Sequence, residues 1–361
     1  AAVLRSREAQ AVGRRECLSI GKGLISPLSL SPTGVLEDVS LQVQARLLPG
    51  DAIHTLGVKS LGPEPPGVAL AVVDHARGPR LRLVQHDLRV LRRADLHRGA
   101  AGVTMGGVSV MPYDGYLGED IDTTAYLDKV LSDSSSGIDL PAAVIVECVQ
   151  GEGGLTAASM EWLQNVEKVC RKYDVLLIVD DIQVGCGRTG NFFSFERAGI
   201  VPDIVTLSKS ISACGLPLAV VLLKPELDKW QPGEHNGTFR GNQLAFVGAT
   251  VGLQLFEELD IPTQVAEKSE LVQRELAGMI ERLEPNIGLR GLGLIWGIDF
   301  TPLKNPQIID RVTQYCFEHQ LIVETAGRQG QVIKLLPALT TSKEELSQGL
   351  GIIEQAVKQA L

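Results

Sequence analysis

Residues Val175 to Gly190 read VLLIVDDIQVGCGRTG: an apolar run, two adjacent aspartates, and a glycine-rich turn. A short, β-branched apolar stretch bounded by turn residues is the pattern of a buried strand. In an open parallel sheet, ligands bind beyond the carboxyl ends of the strands, so Asp180 and Asp181 stand where chemistry is expected. The same arrangement recurs on either side. Upstream, Ala142 to Glu147 (AAVIVE) predicts a strand that leads into Gln150-Gly151-Glu152-Gly153-Gly154. Between these two strands Trp162, Leu163, Val166, Val169 and Cys170 recur at helical spacing, which predicts a helix over Ser159 to Tyr173 with Ser159 as its N-cap. Downstream, Asp203 to Leu207 (DIVTL) closes on Ser208-Lys209-Ser210, Leu218 to Leu223 (LAVVLL) follows, and a long helix is predicted after Asn242. Strands alternating with helices define an α/β class with a mainly parallel sheet. Beyond about Asp260 the rhythm changes. Helices near Thr263 to Leu283, Pro306 to His319 and from Ser342 onward are separated by strands near Leu294 to Phe300 and Gln331 to Leu336, the pattern of a smaller C-terminal α/β domain. The expected division is a leader, 1–98, a large domain, 99–259, and a small domain, 260–361.

The 361 residues are 44% hydrophobic and 21% charged, which excludes a disordered chain and a small disulfide-stapled scaffold. No apolar run reaches the roughly 18 residues needed to span a bilayer, and the first turns of sequence lack a basic cap followed by an apolar stretch. A cytoplasmic protein with no membrane partner is the expectation. The six cysteines form neither a CxxC nor a Cys/His cluster at zinc spacing, so reduced thiols and no metal site are expected. A net charge of -9 argues against nucleic acid as a partner, because phosphate binding needs a basic surface.

That total hides an asymmetry. Residues 1–98 hold 14 Lys+Arg and 9 Asp+Glu, whereas the other 263 hold 20 and 34. No Phe, Tyr or Trp occurs before Tyr113, although the chain has 16. A segment without aromatics lacks the side chains that bury the most area, so an independent core here would be thin. Three readings fit this leader: a divergent or disordered N-terminal region, a basic interaction arm, or a stretch translated from a shifted reading frame.

A carboxylate pair and a lysine, each at a strand's carboxyl end, suit one chemistry in particular. A lysine amine condenses with a carbonyl cofactor, and a buried carboxylate holds a pyridine nitrogen protonated so that the ring accepts electrons. The loop His235-Asn236-Gly237-Thr238-Phe239-Arg240-Gly241-Asn242 offers a hydroxyl and backbone N–H groups at a helix start, which suits a phosphate. Taken singly, each feature has a plainer reading as a solvated charge, a helix cap or a loop anchor. Gly185 to Gly190 lacks the GK[ST] ending of a nucleotide loop and reads as a turn.

Taken in order, ECVQGEGG (147–154), VDDIQVGCGRTG (179–190), LSKSISACGLP (207–217) and HNGTFRGN (235–242) resemble the successive motifs of class III, pyridoxal-phosphate-dependent aminotransferases of fold type I. Asp180 and Lys209 are 29 residues apart, as are Lys209 and Thr238. The string from MPYDGY (111–116) through DSSSG (133–137) to HNGTFRGN is more specifically similar to the diaminobutyrate–2-oxoglutarate transaminases. The resemblance covers about residues 99–361.

By that resemblance, the cofactor is pyridoxal 5'-phosphate, Lys209 is the Schiff-base lysine and proton shuttle, and Asp180 partners the pyridine nitrogen. Gln183 approaches the ring's phenolic oxygen, and Thr238 binds the phosphate across the interface of a homodimer or higher homo-oligomer. Glu152 is a gate that pairs with a basic residue for one substrate and releases it for the other. Lys334, in VIKLLP, stands where many relatives carry a carboxylate-clamping arginine, and a lysine lacks the planar fork for a two-pronged contact. The implied reaction moves the amino group of L-glutamate to L-aspartate 4-semialdehyde, on a path to ectoine or a siderophore. The alternatives are another class III ω-aminotransferase, of the ornithine or 4-aminobutyrate type, and an inactive truncated homologue. The family takes a phosphate-binding Gly/Thr turn and a ring-stacking aromatic from the region before MPYDGY. In the leader the turn has only the short echo Ser31-Pro32-Thr33-Gly34, and the aromatic has none.

Overall fold

A computed structural model describes residues 108–234 and 240–361, together with six strand segments of two or three residues between Ala2 and Gln85. Those segments apart, the leader reading for 1–98 falls outside the described residues, as does Thr238. Contacts gather the chain into two compact units. One comprises Ala1–His75, Ile178–Gln183 and Val201–Asp260, and the other Ala76–Leu177, Val184–Ile200 and Ile261–Leu361.

The elements follow the expected alternation: β1 (Val108–Ser109), α1 (Thr123–Ser132), β2 (Ala143–Val146), α2 (Met160–Lys172), β3 (Leu176–Asp180), β4 (Ile204–Leu207), β5 (Val220–Leu223) and α3 (Gln243–Glu258). Helix α2 begins where the sequence places it because the Ser159 hydroxyl accepts from Trp162 N at 3.2 Å. Its apolar stripe is buried, and Arg171 and Lys172 sit in the last turn, where the helix dipole favours cations. Asn242 caps α3 in the same way, accepting from Leu244 and Ala245 N. In the first unit β4 runs parallel to β3, with Thr206 beside Asp180, and antiparallel to β5, with Leu207 opposite Val220. In the second unit Leu83–Gln85 runs parallel to both β1 and β2.

The rest of the second unit is α4 (Ile261–Leu283), β6 (Gly288–Leu292), β7 (Ile295–Asp299), α5 (Gln307–Glu318), β8 (Glu324–Ala326), β9 (Val332–Leu335) and α6 (Lys343–Ala360). Helix α6 opens with a reciprocal capping box between Ser342 and Glu345. The strands form an antiparallel sheet in the order β6-β7-β9-β8. The sequence shows only β7 and β9, whose apolar side chains are buried. Strand β6 (GLRGL) is glycine-rich and β8 (ETA) is short with two exposed residues, so neither carries a strand pattern.

This sheet shares one core with the loop that follows β2. Val149, Leu155, Val184, Ile295, Ala326 and Val332 form a buried cluster. The turn Gly185–Gly190 contributes more than a change of direction. Arg188 is buried, and its guanidinium donates to the carbonyls of Leu294 (3.0 Å) and Pro337 (2.5 Å). Burial pulls its pKa down to about 10, which leaves it charged at neutral pH. Leu294 N returns a bond to the Arg188 carbonyl at 2.9 Å. Gly293, at φ +60°, makes the approach possible, because a Cβ there would overlap that carbonyl oxygen.

Replacing Arg188 by methionine keeps most of the bulk but orphans two acceptors. We expect stability to fall by roughly 2–4 kcal/mol, the cost of unsatisfied buried carbonyls. Urea unfolding measures it, and an unchanged midpoint would show that other donors serve those carbonyls.

Candidate active site

Asp180 closes β3, Thr206 lies beside it in the parallel register, and Lys209 follows three residues later. Sheet pairing therefore brings the strand-end carboxylate and the lysine together, as the sequence order predicts. Asp180 Oδ1 accepts from Ile182 N at 3.0 Å. Burial is the strongest influence on this carboxyl and holds it above the ordinary carboxylate range. The Ile182 N–H, the Thr206 hydroxyl and the positive charge of Lys209 pull the other way without cancelling it. Asp181 is fully buried, and its N–H donates to the Thr206 carbonyl at 2.9 Å. Gln183 is half-buried just beyond.

Lys209 has an unusual backbone. It adopts φ +49° at the start of a short 3-10 turn, Lys209–Ser212, that ends on Ala213 at φ +56°. Left-handed conformations cost non-glycine residues energy, and they persist where the surroundings over-determine them. Two features fix this turn within its unit. The Ser208 hydroxyl donates to the Leu218 carbonyl at 2.8 Å, and α3 lies so close that a side chain at Gly248 would meet Ser212 and Cys214. The Lys209 side chain is exposed.

In the other unit the structure joins Glu152 to Lys334. Lys334 on β9 is 3% exposed, and its Nζ donates to Glu152 Oε1 at 2.6 Å. The Glu152 backbone is anchored, its carbonyl accepting from Gly327 N at 3.0 Å. Lys334 has a second partner that sequence reading misses. Glu324 on β8 stands directly opposite it in the antiparallel register, with Oε2 at 3.0 Å. Burial alone would push the Lys334 ammonium down, but the two carboxylates outweigh it and the net shift is upward. Only the strand pairing reveals Glu324, since nothing in Glu-Thr-Ala marks a strand.

The motif around MPYDGY supports this loop. Tyr113 Oη donates to the Glu147 carbonyl at 2.8 Å, and Asp114 accepts from Ser159 N at 2.7 Å. Glu147 itself accepts from Gly151 N at 2.8 Å, so the turn that carries Glu152 is held at both ends. Among the described residues no cluster of His, Cys, Asp and Glu could hold a metal, and no helix is long and apolar enough to cross a membrane.

The profile of the aminotransferase class-III family matches residues 97–357, and the chain belongs to that family. Its match starts close to residue 99, where the sequence changes character. A diaminobutyrate–2-oxoglutarate transaminase of Bordetella parapertussis is 53% identical over 266 residues, which is 73% of this chain and 61% of that protein. The chain thus spans less than two thirds of the length of such curated relatives. Among solved structures, an aminotransferase of Bacillus anthracis is similar with a TM-score of 0.68 and 25% identity, over 77% of this chain and 69% of that one. An ornithine aminotransferase of Plasmodium yoelii matches with a TM-score of 0.63 and 26% identity, over 78% and 66%. These neighbours carry the expected α/β fold, and the family's cofactor is pyridoxal 5'-phosphate.

The Asp180 shift has a consequence for stability. A carboxyl whose folded pKa is raised favours the folded state at low pH, and that advantage is lost as pH rises toward and through the raised value. Asp180→Asn should therefore be more thermostable than the unsubstituted chain at neutral pH without added cofactor, and the difference should fade below about pH 4. Thermal unfolding across pH checks this; a less stable variant at pH 7 would show that the charge is favourable there.

Proposed function

We propose that this chain is a transaminase that moves the amino group of L-glutamate to L-aspartate 4-semialdehyde, giving L-2,4-diaminobutyrate and 2-oxoglutarate. The observation that carries the chemistry is Lys209, set in a constrained left-handed turn within electrostatic range of the buried Asp180 carboxyl. The choice of substrates is supported by the 53% identity to a protein named for that reaction.

The residues present fit the cofactor. A carboxyl whose charge is disfavoured by burial is suited to a cationic partner, which would favour its ionised form. When bound, pyridoxal 5'-phosphate supplies an aldehyde carbon that accepts amino groups and a ring that draws electrons from the reacting carbon. Asp180 would hold the ring nitrogen in its protonated state, and Gln183 would take the phenolic oxygen. Thr238 would bind the phosphate of a second copy's cofactor in a homodimer. Lys209 Nζ would hold the cofactor covalently and, once displaced by substrate, would carry a proton from the amino-bearing carbon to the carbon of the cofactor's former aldehyde group. Glu152 and Lys334 would answer the substrate's charges, with Glu152 masking Lys334 for one substrate and releasing it for a dicarboxylate. We assign residues 99–259 to the large domain and 260–361 to the small one, with 1–98 as the atypical part. A second reading, a related ω-aminotransferase, is favoured by the likeness to the Plasmodium ornithine aminotransferase.

Three measurements test these assignments. Borohydride reduction of the cofactor-loaded protein followed by peptide mapping should place the label on Lys209, and label on Lys224 or Lys229 would overturn the site. With 2-oxoglutarate as acceptor, 2,4-diaminobutyrate should outpace ornithine and 4-aminobutyrate by tenfold or more, a difference of about 1.4 kcal/mol in transition-state binding; the reverse order would favour the second reading. Sedimentation should find the active form dimeric or larger, whereas an active monomer would remove the role given to Thr238.

A further inference from the structure

Lys334 has two carboxylates within 3.0 Å and is itself almost wholly buried. The two acids differ in a way that separates their roles. Glu152 lies in a glycine-rich loop, its side chain is 21% exposed, and its main chain is tethered by Gly327, so the carboxylate can rotate away while its backbone stays. Glu324 is on a strand, and the sheet register sets its Cα directly opposite that of Lys334, so its carboxylate stays within reach of the ammonium whatever the Glu152 loop does. Its side chain is 71% exposed.

We propose that Glu324 is a specificity-determining residue that acts through Lys334: a counter-ion kept within reach by the sheet register, which competes with a substrate carboxylate and weakens dicarboxylate binding at this site. The proposal rests on reading Glu152 and Lys334 as the substrate-carboxylate gate. When Glu152 turns aside, the lysine still faces Glu324, and an incoming carboxylate meets an ammonium already partly neutralised. An arginine spreads its charge over separate edges of its fork, whereas an ammonium holds its charge and its three donors on one nitrogen, so a third carboxylate must compete there with the two already present. Glu324 is not needed to hold Lys334 in place, because burial among the strands does that. The effect of Glu324 is therefore one of charge. The closed arrangement carries two negative charges against one positive, which suits a substrate that brings an amino group and disfavours one that brings a second carboxylate.

Glutarate, an unreactive dicarboxylate, is the probe, titrated by calorimetry into the cofactor-loaded full chain and into Glu324→Gln. Removing an exposed partner should tighten glutarate roughly two- to fivefold. The KM for glutamate should fall by a similar factor, with little change in kcat for 2,4-diaminobutyrate. Glu344→Gln, which makes the same charge change in the exposed first turn of α6, should leave glutarate affinity alone. Equal tightening in both variants, unchanged or weaker binding in Glu324→Gln, or no glutarate binding to any form would overturn the inference. Its fate is separable from that of the reaction. If the unsubstituted chain transfers amino groups from glutamate while Glu324→Gln leaves glutarate affinity as it was, the competition fails and the transaminase reading stands. If glutarate tightens selectively in a chain that transfers nothing, the reverse holds.

Discussion

A charge removed from water must be answered by fixed partners, and in the second unit Arg188 and Lys334 show two ways of doing so. Arg188 answers the carbonyls of Leu294, just before β7, and Pro337, just after β9, while Lys334 is answered by two carboxylates. Arg188 reaches two distant segments and Lys334 reaches the distant Glu152, so each ion serves as a joint between segments that have no sequence proximity. Burying a lone ion costs several kcal/mol, and the joint forms only when both segments are in place. The loop after β2, the turn after β3 and the β6-β7-β9-β8 sheet are therefore interdependent. That is the reason Val149, Leu155, Ile295 and Val332 can share one core.

The first unit solves the opposite problem. Asp180 is a charge whose burial is incompletely answered, which is unfavourable for stability and useful for binding a cation. Another partly buried carboxylate, Asp299, behaves differently. The Thr301 hydroxyl and N–H and the Arg290 guanidinium outweigh burial and hold it below the usual range. The contrast identifies Asp180 as a site of incomplete compensation, as functional carboxyls commonly are.

Much of this was legible in the sequence. Apolar runs located β2, β3, β4, β5, β7 and β9, Ser159 marked one helix start as its N-cap, and the helices expected after Asn242 and from Ser342 begin at those places. Asp180 and Lys209 were legible because each directly follows an apolar strand. Strands β6 and β8 were not, because Gly288, Gly291 and the exposed Glu324 leave no alternation to read; they exist through pairing with β7 and β9. Arg188 was hidden for a related reason. A glycine-flanked arginine reads as an exposed turn, and only the closeness of Gly293 shows that it points inward. The pair formed by Glu152 and Lys334 was foreseeable by resemblance, but its third member was not, since register across an antiparallel sheet is a tertiary property.

The left-handed turn at Lys209 separates two properties that a reactive amine needs. Its base is braced: the turn at φ +49° is tied by the Ser208 contact to Leu218 and packed against the glycine face of α3. Its arm is loose, because the side chain is exposed and four methylenes separate the backbone from the nitrogen. A nucleophile mounted in this way can sweep a small arc from a fixed pivot, with the radius set by its own length. In the role proposed for Lys209, that arc would let one amine serve in turn as an anchoring group and as a travelling base, with no movement of the strand that carries it.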